Sequence, residues 1–236
     1  MYNYLNFYFR GLYLGLTIVF SSLFMDTFIS KKSMEKLDHD EKLLYLEGWR
    51  AVITNLVLVE PFFYSVAAVH LMKPDVLALS NIEWIPYIEL CLIHNFLYYI
   101  AHRNMHRTKA LQSIHLFHHK FDKVMLPSVG NAVSKSEFIL AYTCPFIVGI
   151  AVVPTNEISF LLSALTIGAF NMFIHCREFR EIQWLSFMIS PDKHITHHER
   201  RLIHYAAPLL DLDLIFEPKI NTRSGGVTLI DNSDKN

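Results

Sequence analysis

Histidines crowd into two short stretches of this chain, and their spacing is typical of metal ligands. Nine of the 13 histidines lie in residues 102–119 and 194–204, which together make up 29 of the 236 residues. The motif His-x-x-His-His occurs in both stretches, at 115–119 and at 194–198. Residues three and four positions apart share one face of a helix, so each motif can present three imidazoles together. Neutral imidazole binds iron, zinc and copper.

A further pair, His102 and His106, is spaced four residues apart just before the first motif. Two triplets and a pair exceed the four ligands of one tetrahedral ion, so the sequence predicts a site for two metal ions. His175, at the end of an apolar segment, is a candidate ligand as well. His94 lies two helical turns before His102, and we interpret it as a packed residue or a hydrogen-bond partner of a ligand.

The composition predicts a membrane protein. Hydrophobic residues make up 52% of the chain and charged residues 18%, whereas soluble domains average about 25% charged. The net charge of −1, with no basic stripe interleaved with aromatic residues, gives no indication of nucleic-acid binding. The three cysteines are far apart and form no CxxC motif, so they indicate neither a disulfide framework nor a thiolate metal site.

Apolar segments must position the histidines, and they predict an all-α fold: an integral membrane helical bundle with a cytosolic histidine-rich helical cap. We expect one domain over residues 1–236. Spanning helices are predicted at about 11–30, 51–72 and 84–101, and as a hairpin over 138–175. The segment 11–30 could instead lie on the membrane surface, and Glu60-Pro61 predicts a kink or break in the segment 51–72. The hairpin returns the chain to its starting face, so the two histidine regions can meet.

The segments between these helices are charged and predict an orientation. Residues 102–136 carry six basic residues against one acidic residue, which places this face in the cytosol by the positive-inside tendency. Residues 31–50 are interpreted as a solvated link. After His204 we expect a compact apolar cap, and a disordered tail over 221–236.

These residues resemble the fatty acid hydroxylase/sterol desaturase family of integral membrane enzymes, over about residues 84–216. The family pattern is HX3H, HX2HH and HX2HH, with a helical hairpin before the last motif, and the chain has all three motifs in that order. The resemblance implies nine ligands for two metal ions and no catalytic residue beyond them. The implied ligands are His102, His106, His115, His118, His119, His175, His194, His197 and His198.

The chain also departs from the family pattern. Asn95 stands where many members carry Asp, and His204-Tyr205-Ala206 stands where members often have Asn-Tyr-Gly. We expect the departures to affect substrate and rate more than the chemistry. Candidates for an extra ligand or for a partner that orients a ligand are His204, His94, Asn95 and Asp213, and two further carboxylates considered as acceptors are Glu60 and Asp192.

The resemblance implies an O₂-dependent oxidoreductase that hydroxylates or desaturates a C–H bond of a membrane lipid: a fatty acyl chain, a sphingoid or a sterol. It implies iron, which zinc can replace in purified protein, and electrons from NAD(P)H through cytochrome b5 or a reductase. The chain has no Gly-rich dinucleotide loop and no haem or flavin motif, so we expect a separate electron donor. In a eukaryote the family resemblance implies the endoplasmic reticulum. The alternative is a non-catalytic metal-binding membrane protein or a metal transporter.

Overall fold

The computed structural model describes residues 4–182 and 184–217, and this part of the chain is helical, with no β-strand. The predicted all-α fold is confirmed, whereas the tail predicted to be disordered, 221–236, lies outside the described residues. The α-helices are α1 (Tyr4–Phe24), α2 (Lys31–Glu35), α3 (His39–Ile53), α4 (Glu60–His70), α5 (Trp84–Arg107), α6 (Lys109–His115), α7 (Lys135–Glu137), α8 (Cys144–Val152), α9 (Glu157–Ile174), α10 (Pro191–Arg200) and α11 (Asp213–Phe216).

Four continuous helices in the described part are long and apolar enough to cross a membrane, judged by length and composition. Helix α5 is not one of the four, so the predicted crossing over 84–101 stays a prediction. Two of the four contain π-helical turns that join shorter helices, and the first helix ends in a π-helical turn at Met25–Ile29. The four helices are Tyr4–Ile29, His39–His70, Lys135–Val152 and Glu157–Ile174.

The second of these helices begins earlier than the sequence analysis expects. The stretch 39–50, interpreted as part of a solvated link, belongs to α3. Asp38 caps this helix: its carboxylate accepts from the backbone N–H of Glu41 at 2.9 Å, and the Glu41 carboxylate accepts from the Asp38 backbone N–H at 3.1 Å. Such a reciprocal capping box satisfies two N–H groups that have no partner within the helix.

Pro61 does not break the helix that contains it. A π-helical turn over Thr54–Val59 precedes α4, and Pro61 lies in the first turn of α4. Proline removes one N–H donor and crowds the preceding turn, and the wider π turn provides the room.

Helix α1 packs against this irregular stretch through two glycines spaced four residues apart. A Cβ atom on Gly15 would lie 1.9 Å from the carbonyl oxygen of Leu56, and one on Gly11 would lie 2.8 Å from Cβ of Tyr64. The backbones therefore approach as closely as they do in helix pairs joined by a G-x-x-x-G motif.

The segment predicted as a hairpin, 138–175, contains the helices α8 and α9, which are separated by residues 153–156. Glu157, at the start of α9, forms an ion pair with Arg10 of α1 and accepts a hydrogen bond of 2.5 Å from the Tyr64 hydroxyl of α4. The turn end of the hairpin is thereby fastened to the two N-terminal helices.

The segment after α10 packs onto α5, as the predicted apolar cap requires. Tyr205, Ala206 and Ala207 are buried. The Asn95 side-chain oxygen accepts from the backbone N–H groups of Leu209 and Leu210, at 3.0 Å each. This contact fixes the C-terminal segment beside the helix that carries the first histidine pair.

Candidate metal centre

The nine histidines singled out by the sequence meet in the interior of the protein. All are at least nine-tenths buried, and His106 is the most exposed of them at 8%. Within each of two groups, the ligand nitrogens lie within 4.8 Å of one another, and each group could hold a metal ion. The first group is His102, His106, His115, His119 and His197, and the second is His118, His175, His194 and His198.

Short helical pieces bring these side chains together. Helix α5 carries the pair spaced four residues apart, α6 ends at His115, and a 3₁₀ turn begins at His118. Helix α10 supplies the last triplet, and His175 follows directly on α9. Each His-x-x-His-His motif divides its histidines between the two groups, so the two candidate positions lie side by side. The rings of His119 and His198, from different groups, have centroids 4.7 Å apart.

Backbone carbonyls orient four of the rings. Nδ1 of His102 lies 2.7 Å from the carbonyl oxygen of Tyr205, and Nδ1 of His197 lies 2.7 Å from that of Ile203. Nδ1 of His175 lies 2.7 Å from the Asn171 carbonyl, and Nδ1 of His118 makes a longer contact of 3.3 Å with a carbonyl. A carbonyl oxygen only accepts, so in each ring Nδ1 carries the hydrogen.

A carboxylate orients a fifth ring. Nδ1 of His115 donates to Oε1 of Glu137 at 2.5 Å, and both residues are 1% exposed. Histidines that bind metals usually give their second N–H to such an acceptor, which fixes the tautomer and raises the basicity of the ligand nitrogen.

The second ring nitrogens face each other without a hydrogen to share. Nε2 of His102 lies 2.9 Å from Nε2 of His115, and with Glu137 ionised both rings carry their hydrogen on Nδ1. The same holds for Nε2 of His118 and Nε2 of His175, 3.3 Å apart. Bare lone pairs at these distances repel unless a cation lies between them. The arrangement therefore fits a metal ion in each group.

Protonation is the other way to relieve this repulsion, and burial opposes it. Loss of hydration, followed by the charge of neighbouring imidazoles, lowers the pKa of His115, His194 and His197 well below the usual 6.5. Burial likewise lowers the pKa of His175 to about 4. At neutral pH these rings are neutral, which is the form that binds a metal.

The additional candidates lie outside both groups. His94 is buried against Phe146, with ring centroids 4.3 Å apart, and belongs to neither group. His204 has a left-handed backbone and is likewise outside both groups. Asn95 binds backbone N–H groups rather than an imidazole, and Asp213 accepts from the Ala206 N–H at 2.8 Å.

The two further carboxylates do not orient the histidines either. Asp192 forms an ion pair with Arg180, and Glu60 lines an apolar cavity that also contacts His94. The acceptors that sequence reasoning missed are Glu137 and the carbonyls. Glu137 had one sequence signal, because Ser134-x-x-Glu137 is a helix-capping pattern at the start of the hairpin. The Ser134 hydroxyl does cap that helix, and the Glu137 side chain turns to His115 instead.

A large cavity reaches the first histidine group from outside. A cavity of about 340 Å³ is lined by His106, His115 and His119 of the first group, together with Arg200 and Arg201. The first group is therefore the more accessible of the two.

Comparison with known proteins agrees with this geometry. The family model described as "Fatty acid hydroxylase" matches residues 87–217, which is more than half of the chain and includes all nine histidines. No curated protein and no solved structure matches the chain. With its all-helical fold, its four membrane-length helices and its paired histidine groups, the chain belongs to the fatty acid hydroxylase family.

Proposed function

We propose that the protein is an O₂-dependent oxidoreductase that hydroxylates or desaturates a C–H bond of a fatty acyl, sphingoid or sterol lipid. The observation that carries the proposal is the pairing of nine neutral, buried imidazoles in two adjacent groups, in a chain of this family. Two irons bound there would supply, with O₂, the oxidising power that an unactivated C–H bond requires.

The chain's own residues provide the setting for this chemistry. The five histidines of the first group would together hold one iron, and the four of the second group would hold another. Zinc could replace both irons in purified protein. Glu137 and the four carbonyls keep the Nε2 atoms pointed inward. With five ligands in the first group and four in the second, an octahedral site in either group would have room for a further ligand.

Electrons must come from outside the chain, since no haem, flavin or dinucleotide motif is found in the sequence. We propose NAD(P)H as the source and cytochrome b5 or a reductase as the donor. The excess of basic residues over 102–136 supports a cytosolic orientation for the histidines. A multi-pass location in the endoplasmic reticulum follows from this proposal if the host is a eukaryote.

A metal transporter is the competing function, and the placement of the histidines argues against it. Transport favours ionisable groups distributed along a path through the membrane. Here all nine histidines lie outside the four membrane-length helices, although His175 directly follows one of them. A family member that binds metals without oxidising lipid would keep the same geometry, so only an activity measurement separates it.

Lipid mass spectrometry of cells that express the chain tests the proposal. We expect new hydroxylated or unsaturated lipids with the wild-type chain, and their loss with His118→Ala. The matched control is His39→Ala, because His39 is exposed and belongs to neither group. Oxidised lipids that persist in His118→Ala would contradict the proposal. So would a wild-type protein that holds its metals and produces no oxidised lipid.

A further inference from the structure

The cavity beside the first histidine group has a charge that metal binding does not explain. Arg200 and Arg201 line it next to three imidazoles that would carry a cation. Two arginines beside a metal ion repel it, and an anion bound between them would offset that repulsion. The volume of about 340 Å³ is in the range of small-molecule sites. The other lining residues are Met105, Gln112, Leu116 and Leu202.

These two arginines differ from the others on this side of the protein. Arg103 and Arg107 both form ion pairs with Glu217, and Arg180 forms ion pairs with two acidic side chains. In the described residues, neither the Arg200 nor the Arg201 guanidinium is hydrogen-bonded or ion-paired. Both are therefore available to an external anion.

The backbone at Arg201 also indicates a role for its side chain. Its φ of 61° lies in the left-handed region, at the end of α10, where glycine is usual. A bulky residue held in that conformation next to a site is a reason to look for a function. The turn places Arg201 in the lining of the cavity that opens on the histidines.

The cavity has an apolar border as well as a charged one. Leu116 is 48% exposed and Leu202 is 59% exposed, and both line the cavity. Apolar side chains next to arginines suit a ligand with a charged end and a hydrocarbon end.

We propose that this cavity binds the anionic group, a carboxylate or a phosphate, of an amphiphilic lipid, with Arg200 and Arg201 as its two cationic contacts. Planar guanidinium groups bind both anions through paired N–H donors. The lipid chain would lie along Leu116 and Leu202. That this lipid is also a substrate rests on the proposed function, whereas the binding itself does not.

Equilibrium dialysis with labelled decyl phosphate tests the proposal, using the full chain in neutral lipid nanodiscs without O₂ or reductant. We expect saturable binding by the wild type, and affinity lowered about tenfold or more when Arg200→Gln and Arg201→Gly are combined. Lys109→Gln is the matched control, because Lys109 is exposed and does not line the cavity. We expect decanol, which lacks the charge, to bind equally to all variants.

Inorganic phosphate separates a lipid site from a simple anion site. We expect it to bind far more weakly than decyl phosphate, and equal affinity would overturn the lipid part of the proposal. If the double variant unfolds, the affinity of Arg201→Gly alone for decyl phosphate tests the proposal, because glycine readily adopts the left-handed backbone conformation.

Two other outcomes would overturn the proposal. They are unchanged affinity in the arginine variants and an equal loss in Lys109→Gln. Because the assay includes no oxidation step, a failure of binding leaves the proposed activity standing, and a failure of activity leaves binding standing.

Discussion

Glu137 and His115 form a hydrogen bond of 2.5 Å at the base of the first histidine group, where both are almost fully excluded from solvent. Glu137 lies in the first turn of the membrane-length helix Lys135–Val152, and His115 ends α6. The bond therefore ties the membrane-length part of the chain to the candidate metal centre.

Replacing this carboxylate is expected to weaken metal binding while the fold persists. Glu137→Ala leaves Nδ1 of His115 without its acceptor, and loss of such partners typically costs about 10–100-fold in metal affinity. Metal content measured by mass spectrometry against a chelator series checks this. Glu89→Gln, an exposed carboxylate on α5, is the control and should match the wild type. Equal metal retention in Glu137→Ala would show that the bond is structural only.

The two groups are expected to load independently. His175→Ala removes one of the four nitrogens in the second group, and His106→Ala removes one of the five in the first. Each variant should retain about one metal per chain where the wild type holds about two, because the remaining group is complete. His39→Ala should keep both metals. Complete loss from either variant would mean that the groups form a single cooperative site.

The metal-free protein is expected to lose stability as the pH falls. Burial lowers the pKa of His175 to about 4 and lowers that of His194 and His198 as well, whereas the unfolded chain titrates near 6.5. Below pH 6.5 the unfolded state therefore binds protons that the folded state does not bind. Stability declines as the pH falls, until the pH reaches the pKa of the histidines in the folded state.

Unfolding of the metal-free protein at pH 7.5 and 5.5 measures this effect. Each histidine contributes at most about 1.4 kcal/mol per pH unit. His198→Phe should flatten the dependence, because it removes one of the buried rings, and His39→Ala should not. A wild-type stability that is independent of pH in this window would contradict the expected titration.

Close packing between α1 and the π-helical turn before α4 leaves no room for a side chain at Gly15. In Gly15→Ala the new Cβ would meet the Leu56 carbonyl oxygen at 1.9 Å, and backbone must move. We expect a loss of about 1–3 kcal/mol in unfolding free energy, measured by thermal unfolding in detergent. The control is Gly168→Ala, whose Cβ would lie 3.5 Å from the nearest atom of Ile18 and should be neutral or slightly stabilising.

Histidine spacing predicted which histidines lie together, because helix periodicity decides which residues of a motif share a face. The two helices within 138–175 were equally visible, since two uncharged segments flank a Pro-Thr-Asn turn. The partners of the ligands were not. Backbone carbonyls such as that of Tyr205 carry no sequence signal, and Glu137 is brought to His115 by tertiary packing across 22 positions.

The predicted start of the second membrane-length helix was wrong for a different reason. Composition marks 39–50 as polar, yet the Asp38 capping box and the continuation into apolar residues make it one helix with the next segment. The π turn at Thr54–Val59 compensates for Pro61, and single-residue propensities do not encode that compensation.

The carbonyls of Ile203 and Tyr205 have a consequence for how the protein is made. They hold His197 and His102, and they lie downstream of every proposed ligand. A ribosome that has just released α10 has delivered all nine imidazoles, two of them still free to rotate. Metal uptake by the first group should therefore wait until Ile203 and Tyr205 have been synthesised, and a nascent chain stalled before Ile203 should hold metal in the second group alone.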